Sequence, residues 1–314
     1  MLVFGIGDLL GRFMLRLPNL FILGAGRCGT TYLHEQLAEH PDIFMSAIKE
    51  PTFFCDLCGM GNPWEYLQQF SEAGAARVVG ESSHAYLSSP SSPSMLKAYV
   101  PEAKFLLTFR NPVDRAYSLY SWMTVAGLEW SSSFEGALGR EDKRFHSRRF
   151  YENNPQYFYN YLYYRSGLFG EQVQRYLELF SKEQFLFLKF DDLINNPRVW
   201  FTKIFRFLDV DPELGAQDIG QVNQSREVRS ASLQYFIGQY LQPNLYRLRM
   251  PGTRKFTDFL ADLNVVHTRP EQLKQQTRMS LTDRYRDDLT LLEELTGIDT
   301  LDWRQRPEHN FETI

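Results

Sequence analysis

An apolar run, Leu20-Phe21-Ile22-Leu23, stops at the glycine loop Gly24-Ala25-Gly26-Arg27-Cys28-Gly29, and two hydroxyls, Thr30 and Thr31, then open a helical pattern. Strand, tight glycine loop and helix start, in that order, form the opening of an α/β unit. They also form an anion cradle. Backbone N–H groups converge there, the helix dipole favours negative charge, and the glycines let a phosphate approach the main chain. The spacing G-x-x-x-x-G is that of a P-loop, yet Thr30 stands where its lysine should follow Gly29. The only cation of the loop is Arg27, and the side chain of Cys28 is expected to point away from the anion. A loop of this kind should hold phosphate-like anions without belonging to an ordinary ATPase.

Strand and helix patterns alternate along the rest of the chain. Strands are expected at Leu20–Leu23, Ile43–Met45, Arg77–Val79, Lys104–Phe109 and Phe185–Lys189. Helices are expected at Thr31–Glu39, Pro93–Tyr99, Pro112–Val125, Leu168–Phe180, Pro197–Leu208 and Ser280–Thr296. Short buried strands between helices imply a P-loop-like α/β/α fold, with a central, mostly parallel sheet and helices on both faces. Ligands of such sheets bind at the carboxyl ends of the strands, near a topological switch point. Two irregular, aromatic-rich stretches, about 127–165 and 211–270, read as insertions capping one domain of residues 17–314. Residues 1–16 read as a segment packed on that domain.

With 43% hydrophobic and 15% aromatic residues the chain can bury a large core, and its net charge of -4 argues against a nucleic-acid footprint. Cys28, Cys55 and Cys58 are too few for a disulfide framework. Cys55-Asp56-Leu57-Cys58 lacks a second pair or a nearby His and reads as a plain loop. The apolar start is interrupted by Asp8, Arg12 and Arg16, too short and too charged to span a bilayer, and it has no secretory cleavage pattern. The expected setting is the cytoplasm, with no integral membrane segment. The oligomeric state is open, a homodimer among the options.

Three further segments could carry chemistry. Arg110 leaves a buried strand just before Asn111-Pro112, and Ser118 lies about two turns along the following helix. The planar fork of an arginine at such a place suits a phosphate, although a plain salt bridge to a strand-end acid would also explain it. Beside the glycine loop, Arg110 makes a ligand with two separate phosphates attractive. Lys49-Glu50-Pro51 follows the second strand, where a carboxylate next to a lysine is a candidate general base; taken alone it reads as a structural pair on a turn. His84, in Gly80-Glu81-Ser82-Ser83-His84-Ala85-Tyr86, could exchange a proton at neutral pH, or be a satisfied structural histidine, as His34 and His40 are read to be.

Together these segments resemble the sulfotransferase family that uses 3′-phosphoadenosine 5′-phosphosulfate (PAPS). The glycine loop is similar to that family's 5′-phosphosulfate loop, and Arg110–Tyr120, RNPVDRAYSLY, to its 3′-phosphate segment. Lys49–Phe54, KEPTFF, resembles the motif carrying the catalytic glutamate of heparan-type members, and GESSHAYL their GEKSPAYL-type segment. Phe187–Leu193, Asn196-Pro197 and the C-terminal Tyr285–Trp303 fit as well, so the resemblance covers most of the chain.

The resemblance implies that Arg27 takes the place of the loop lysine, that Gly29, Thr30 and Thr31 hold the 5′-phosphate, and that Arg110 with Ser118 holds the 3′-phosphate. Glu50 would be the base, and Arg229 would lie near the nucleotide. Two departures stand out. Ser82 replaces a second lysine, so that charge must come from elsewhere, with Lys49 the candidate; His84 replaces a proline and could face the acceptor. Whether Glu50 or His84 is the base stays open at this point. The implied reaction is metal-free sulfuryl transfer to a small-molecule hydroxyl or amine, leaving 3′-phosphoadenosine 5′-phosphate (PAP). A glycan acceptor is the alternative. Rivals from other classes are a P-loop metabolite kinase, which needs a lysine after Gly29, and a non-catalytic nucleotide-binding protein, which needs no base.

Overall fold

A computed structural model of the chain describes residues 16–55, 61–154, 157–215, 227–247, 253–266 and 273–305. Residues 1–15, Cys58 and parts of the 211–270 stretch lie outside the described residues. The main elements are β1 (Leu20–Gly24), α1 (Thr30–Ala38), β2 (Ile43–Met45), α2 (Pro63–Gln68), β3 (Val78–Ser82), α3 (Ala85–Ser88), α4 (Ser92–Tyr99) and β4 (Lys104–Phe109). They continue with α5 (Pro112–Val125), α6 (Phe169–Leu177), β5 (Phe185–Lys189), α7 (Phe190–Asn195), α8 (Pro197–Phe207) and α9 (Gln275–Thr296).

The chain divides into two compact units interleaved along the sequence. The first runs to Arg110 and adds Leu168–Val222 and Asp287–Thr300; the second takes Asn111–Gly167, Asn223–Arg286 and the chain from Leu301. Both stretches read as insertions fall mainly in the second unit.

The first unit holds a five-stranded sheet in the order β2-β3-β1-β4-β5, with every pairing parallel. The sequence pattern explains it. All five residues of β1 are buried, and four of them, Leu20 to Leu23, are fully so. Each side chain is worth roughly 1.5–3 kcal/mol on burial. Alternate residues of β1 face opposite sides. Leu20 and Ile22 join Leu33 and Leu37 of α1 and Phe201 and Phe205 of α8 in one core. Phe21 meets Phe105 of β4 and Tyr86 of α3, while Phe105 meets Tyr176 of α6. The sheet is therefore covered on both faces.

After β1 the chain moves toward β2 and β3; after β4 it moves the other way, to β5. The order reverses between β1 and β4, which makes their carboxyl ends the switch point. The strand expected at Arg77–Val79 starts at Val78 and continues to Ser82. Polar Glu81 and Ser82 hide this extension from hydropathy, yet both are fully buried.

In the second unit, Asn111 caps α5 by accepting the Val113 N–H (3.0 Å), and Pro112 occupies its first turn. Fully buried Glu129 is held by Arg144 (2.8 Å) and by the hydroxyl of Tyr163 (2.8 Å). No helix among the described residues is long and apolar enough to cross a membrane.

Candidate active site

Helix α1 begins at Thr30 with Gly29 as its N-cap; no side chain caps it, and its first turn carries no acidic residue. Its first-turn N–H groups and the positive end of its dipole are thus directed at the glycine loop. The loop is latched to β4 at Thr108. Ala25 N–H donates to the Thr108 carbonyl (2.8 Å), and the Thr108 hydroxyl donates to the Cys28 carbonyl (2.9 Å). Arg27 takes φ 70° and Gly29 φ 82°. Cys28 is fully buried, its side chain in the core as expected, whereas Thr31 is exposed.

A Cβ on Gly29 would sit 2.8 Å from Cε2 of Phe190, the first residue of α7. Gly29→Ala combines that clash with a left-handed backbone. It is expected to cost roughly 1–3 kcal/mol, read as a lower melting temperature. Unchanged melting would show that the loop tolerates a side chain there.

The same Phe190 ring carries the Arg110 guanidinium 5.4 Å from its centroid. Arg110 stands at the end of β4, across the switch point from the glycine loop. Burial lowers the pKa of Arg27, and the neighbouring charge of Arg110 lowers it further. Two neighbouring arginines, beside the N–H groups of a helix with no side-chain cap, fit a ligand bearing phosphate-type charge.

Lys49, Glu50 and His84 form the second half of the site. Lys49 Nζ lies 2.6 Å from Glu50 Oε1 and 3.4 Å from the hydroxyl of Thr30, tying the glutamate to the start of α1. Glu50 Oε2 takes both His84 Nδ1 (2.7 Å) and the His84 backbone N–H (2.9 Å). Burial would raise the Glu50 carboxyl, but His84 and then Lys49 outweigh it and hold it at about 2. The far edge of the His84 ring lies over Gly26: a Cβ there would meet Cδ2 at 3.0 Å and Nε2 at 3.6 Å. A side chain at position 26 would press on the imidazole, which would have to give by a few tenths of an ångström.

The structure thus gathers Gly26, Arg27, Gly29, Thr30, Lys49, Glu50, His84 and Arg110 at the carboxyl ends of neighbouring strands in the first unit. Ser118, half-buried on α5, and Arg229, exposed beside the short Glu227–Val228 strand, belong to the second. Ser82 is fully buried in β3, and its hydroxyl has no partner among the described residues. Sequence reasoning misses Phe190 and Thr108. Phe187–Leu193 fits the family pattern as a segment, but an aromatic at a helix start gives no local sign that it lies against a distant glycine.

A family model described as the sulfotransferase domain matches residues 17–235. Carbohydrate sulfotransferase 15 of Rattus norvegicus is 28% identical over 260 residues, which takes in 64% of this chain and 45% of that protein. Bifunctional heparan sulfate N-deacetylase/N-sulfotransferase 2 of Homo sapiens is 27% identical over 210 residues, 63% of this chain and 23% of that protein. The chain spans less than half the length of these curated relatives. A solved sulfotransferase from Alicyclobacillus acidocaldarius superposes with a TM-score of 0.70 at 26% identity, covering 93% of this chain and 100% of that one. With a parallel sheet, a glycine loop at its switch point and a family model matching well over half its length, the chain belongs to the sulfotransferase-domain family.

Proposed function

We propose that the protein transfers a sulfuryl group from PAPS to a hydroxyl, or an amine, of a small-molecule acceptor. The observation that carries this reading is the pair Arg27 and Arg110 on the two loops of the switch point, close enough for one to lower the pKa of the other. PAPS places phosphate-type charge at two separate positions, and two cations on separate loops match that demand. Arg27, Gly29, Thr30 and Thr31 take the 5′ end and Arg110 takes the 3′-phosphate; Ser118 and Arg229 are assigned to the nucleotide by the family pattern alone. Lys49, held between Glu50 and Thr30, supplies the charge that Ser82 does not.

The chemistry asks for in-line geometry and for stabilisation of charge on the leaving oxygens. The acceptor oxygen bonds to sulfur while the bond from sulfur to the phosphate oxygen breaks, leaving PAP. With Oε1 against Lys49 and Oε2 against His84, the Glu50 carboxylate is a weak base for the acceptor proton. It is well suited to hold His84 Nδ1–H and so orient the ring, whose Nε2 edge lies over Gly26. We assign the base to the Glu50–His84 pair, with His84 taking the proton and Glu50 stabilising the imidazolium. This moves the proton from Glu50, the base suggested by the resemblance, to its partner.

A glycan acceptor is the second reading, supported by relatives whose names specify carbohydrate and heparan sulfate. We infer the cytoplasm as the compartment, three cysteines being too few for a disulfide framework. Thermal denaturation tests the donor. PAP at about a hundred times its dissociation constant should stabilise the chain by roughly 2.7 kcal/mol without added metal. Stabilisation by ATP–Mg²⁺ alone would instead favour a kinase. A screen of phenols, alcohols, amines and oligosaccharides with labelled PAPS then separates the acceptor classes.

A further inference from the structure

Glu81 is a fully buried carboxyl that the chemistry above does not use. Three hydroxyls donate into it: Tyr66 (2.6 Å) and Tyr86 (3.0 Å) to Oε1, and Ser83 (2.8 Å) to Oε2. When ionised, the carboxylate only accepts; all three hydrogens are then spent inward and the oxygen lone pairs of Ser83 and Tyr86 are turned outward. Those lone pairs meet two backbone groups of a single turn. Thr52 N–H donates to Ser83 Oγ (3.1 Å), and Phe54 N–H donates to Tyr86 Oη (3.1 Å).

That turn carries Glu50. Glu50 (φ 62°) and Thr52 (φ 53°) both occupy the left-handed region, and neither is glycine. Such a backbone persists only where its surroundings fix it. Glu50 N–H donates to the Ser82 carbonyl (2.9 Å), and Phe53 stacks on Tyr66 with ring centroids 4.2 Å apart. One strip, Ser82 to Tyr86, therefore supplies hydrogen bonds along the whole turn, and Glu81 sets the direction of the two that come from hydroxyls.

We propose that Glu81 is a positioning residue for Glu50: through the hydroxyls of Ser83 and Tyr86 it fixes the left-handed turn that brings the Glu50 carboxylate to His84 and Lys49. The proposal rests on the sulfotransferase reading given above. Burial pushes the Glu81 carboxyl up to about 7, against the pull of its three hydroxyl donors, and the charge of Glu50 acts in the same direction as burial. An acid held at such a disadvantage is hard to explain by packing alone.

The test compares Glu81→Gln, Ser83→Ala, Tyr86→Phe and the Glu81→Gln/Ser83→Ala double variant with the full wild-type chain. PAP release from PAPS is followed with the best acceptor from the screen, and with water. Each single variant is expected to lower kcat roughly ten- to a hundredfold at an almost unchanged KM for PAPS. The double variant should lose little more than the worse single one, because both act through one link. Lower melting temperatures with a wild-type kcat would overturn the proposal, reducing the cluster to ordinary core support. Failure of the wild type to release PAP would count against the sulfotransferase reading instead. Hydrogen exchange then decides the local claim: faster exchange at the Thr52 and Phe54 amides in Glu81→Gln and Ser83→Ala supports it, and wild-type protection overturns it.

Discussion

Arg27→Ala is expected to lower the rate of PAP formation by roughly 10²–10³, the usual loss when one preorganised donor to a developing oxyanion is removed. Arg27 is the only cation of the glycine loop, and the loop around it is latched to Thr108. Arg110→Ala should behave differently. Its guanidinium lies over Phe190 at the end of β4, on the side assigned to the remote phosphate. Its loss removes charge-assisted hydrogen bonds worth about 1.5–3 kcal/mol each, mainly from ground-state binding. KM for PAPS and the Kd of PAP should both rise at least tenfold, with a smaller fall in kcat. Unchanged PAP affinity in Arg110→Ala would refute the two-phosphate assignment.

Glu50→Gln and His84→Ala are each expected to lower kcat by roughly 10²–10⁴, the range for losing a positioned base. The double variant should be little worse than His84→Ala alone. If Glu50 were itself the base, His84→Ala would be the milder of the two, and a rate profile across the singles and the double separates these cases. The pair also leaves a signature in stability. Glu50 has a folded-state value of about 2 against an ordinary 4.5, because His84 and then Lys49 outweigh its burial. Its stabilising contribution, about 3 kcal/mol at most, is present above the unfolded value and disappears as pH falls through the folded one. Urea midpoints of wild type and Glu50→Gln should therefore differ at pH 6 and converge on acidification. A difference independent of pH would argue that the ion pairs contribute little.

Much of this site can be read from sequence wherever function coincides with local pattern. Residues 104–109 and 185–189 appear as apolar runs between breakers and form strands with those bounds. Asn111-Pro112 marks the start of α5, and the glycine loop announces its helix. The limits are physical. Hydropathy ends β3 too early because Glu81 looks like surface, and its burial depends on hydroxyls from two other segments. The nearness of Arg27 and Arg110 depends on the strand order, which alternation of elements does not specify. The Glu50–His84 contact joins residues 34 positions apart, so a pair read as Lys49 with Glu50 is in fact a trio. Ser118 and Arg229 come from the family pattern and belong to the other compact unit.

The buried carboxyl at position 81 also bears on how this chain would respond to selection. Its folded-state value is raised from 4.5 to about 7, so the stability linked to its neutral form is present at acid pH and lost as pH rises through 7. Above neutrality the fold carries an ionised acid in its core. A search for heat resistance at alkaline pH would be drawn early to this position, where an amide removes the buried charge while its carbonyl still accepts. The hardened protein would hold its shape and turn over slowly, with robustness and rate opposed at one residue well inside the sheet.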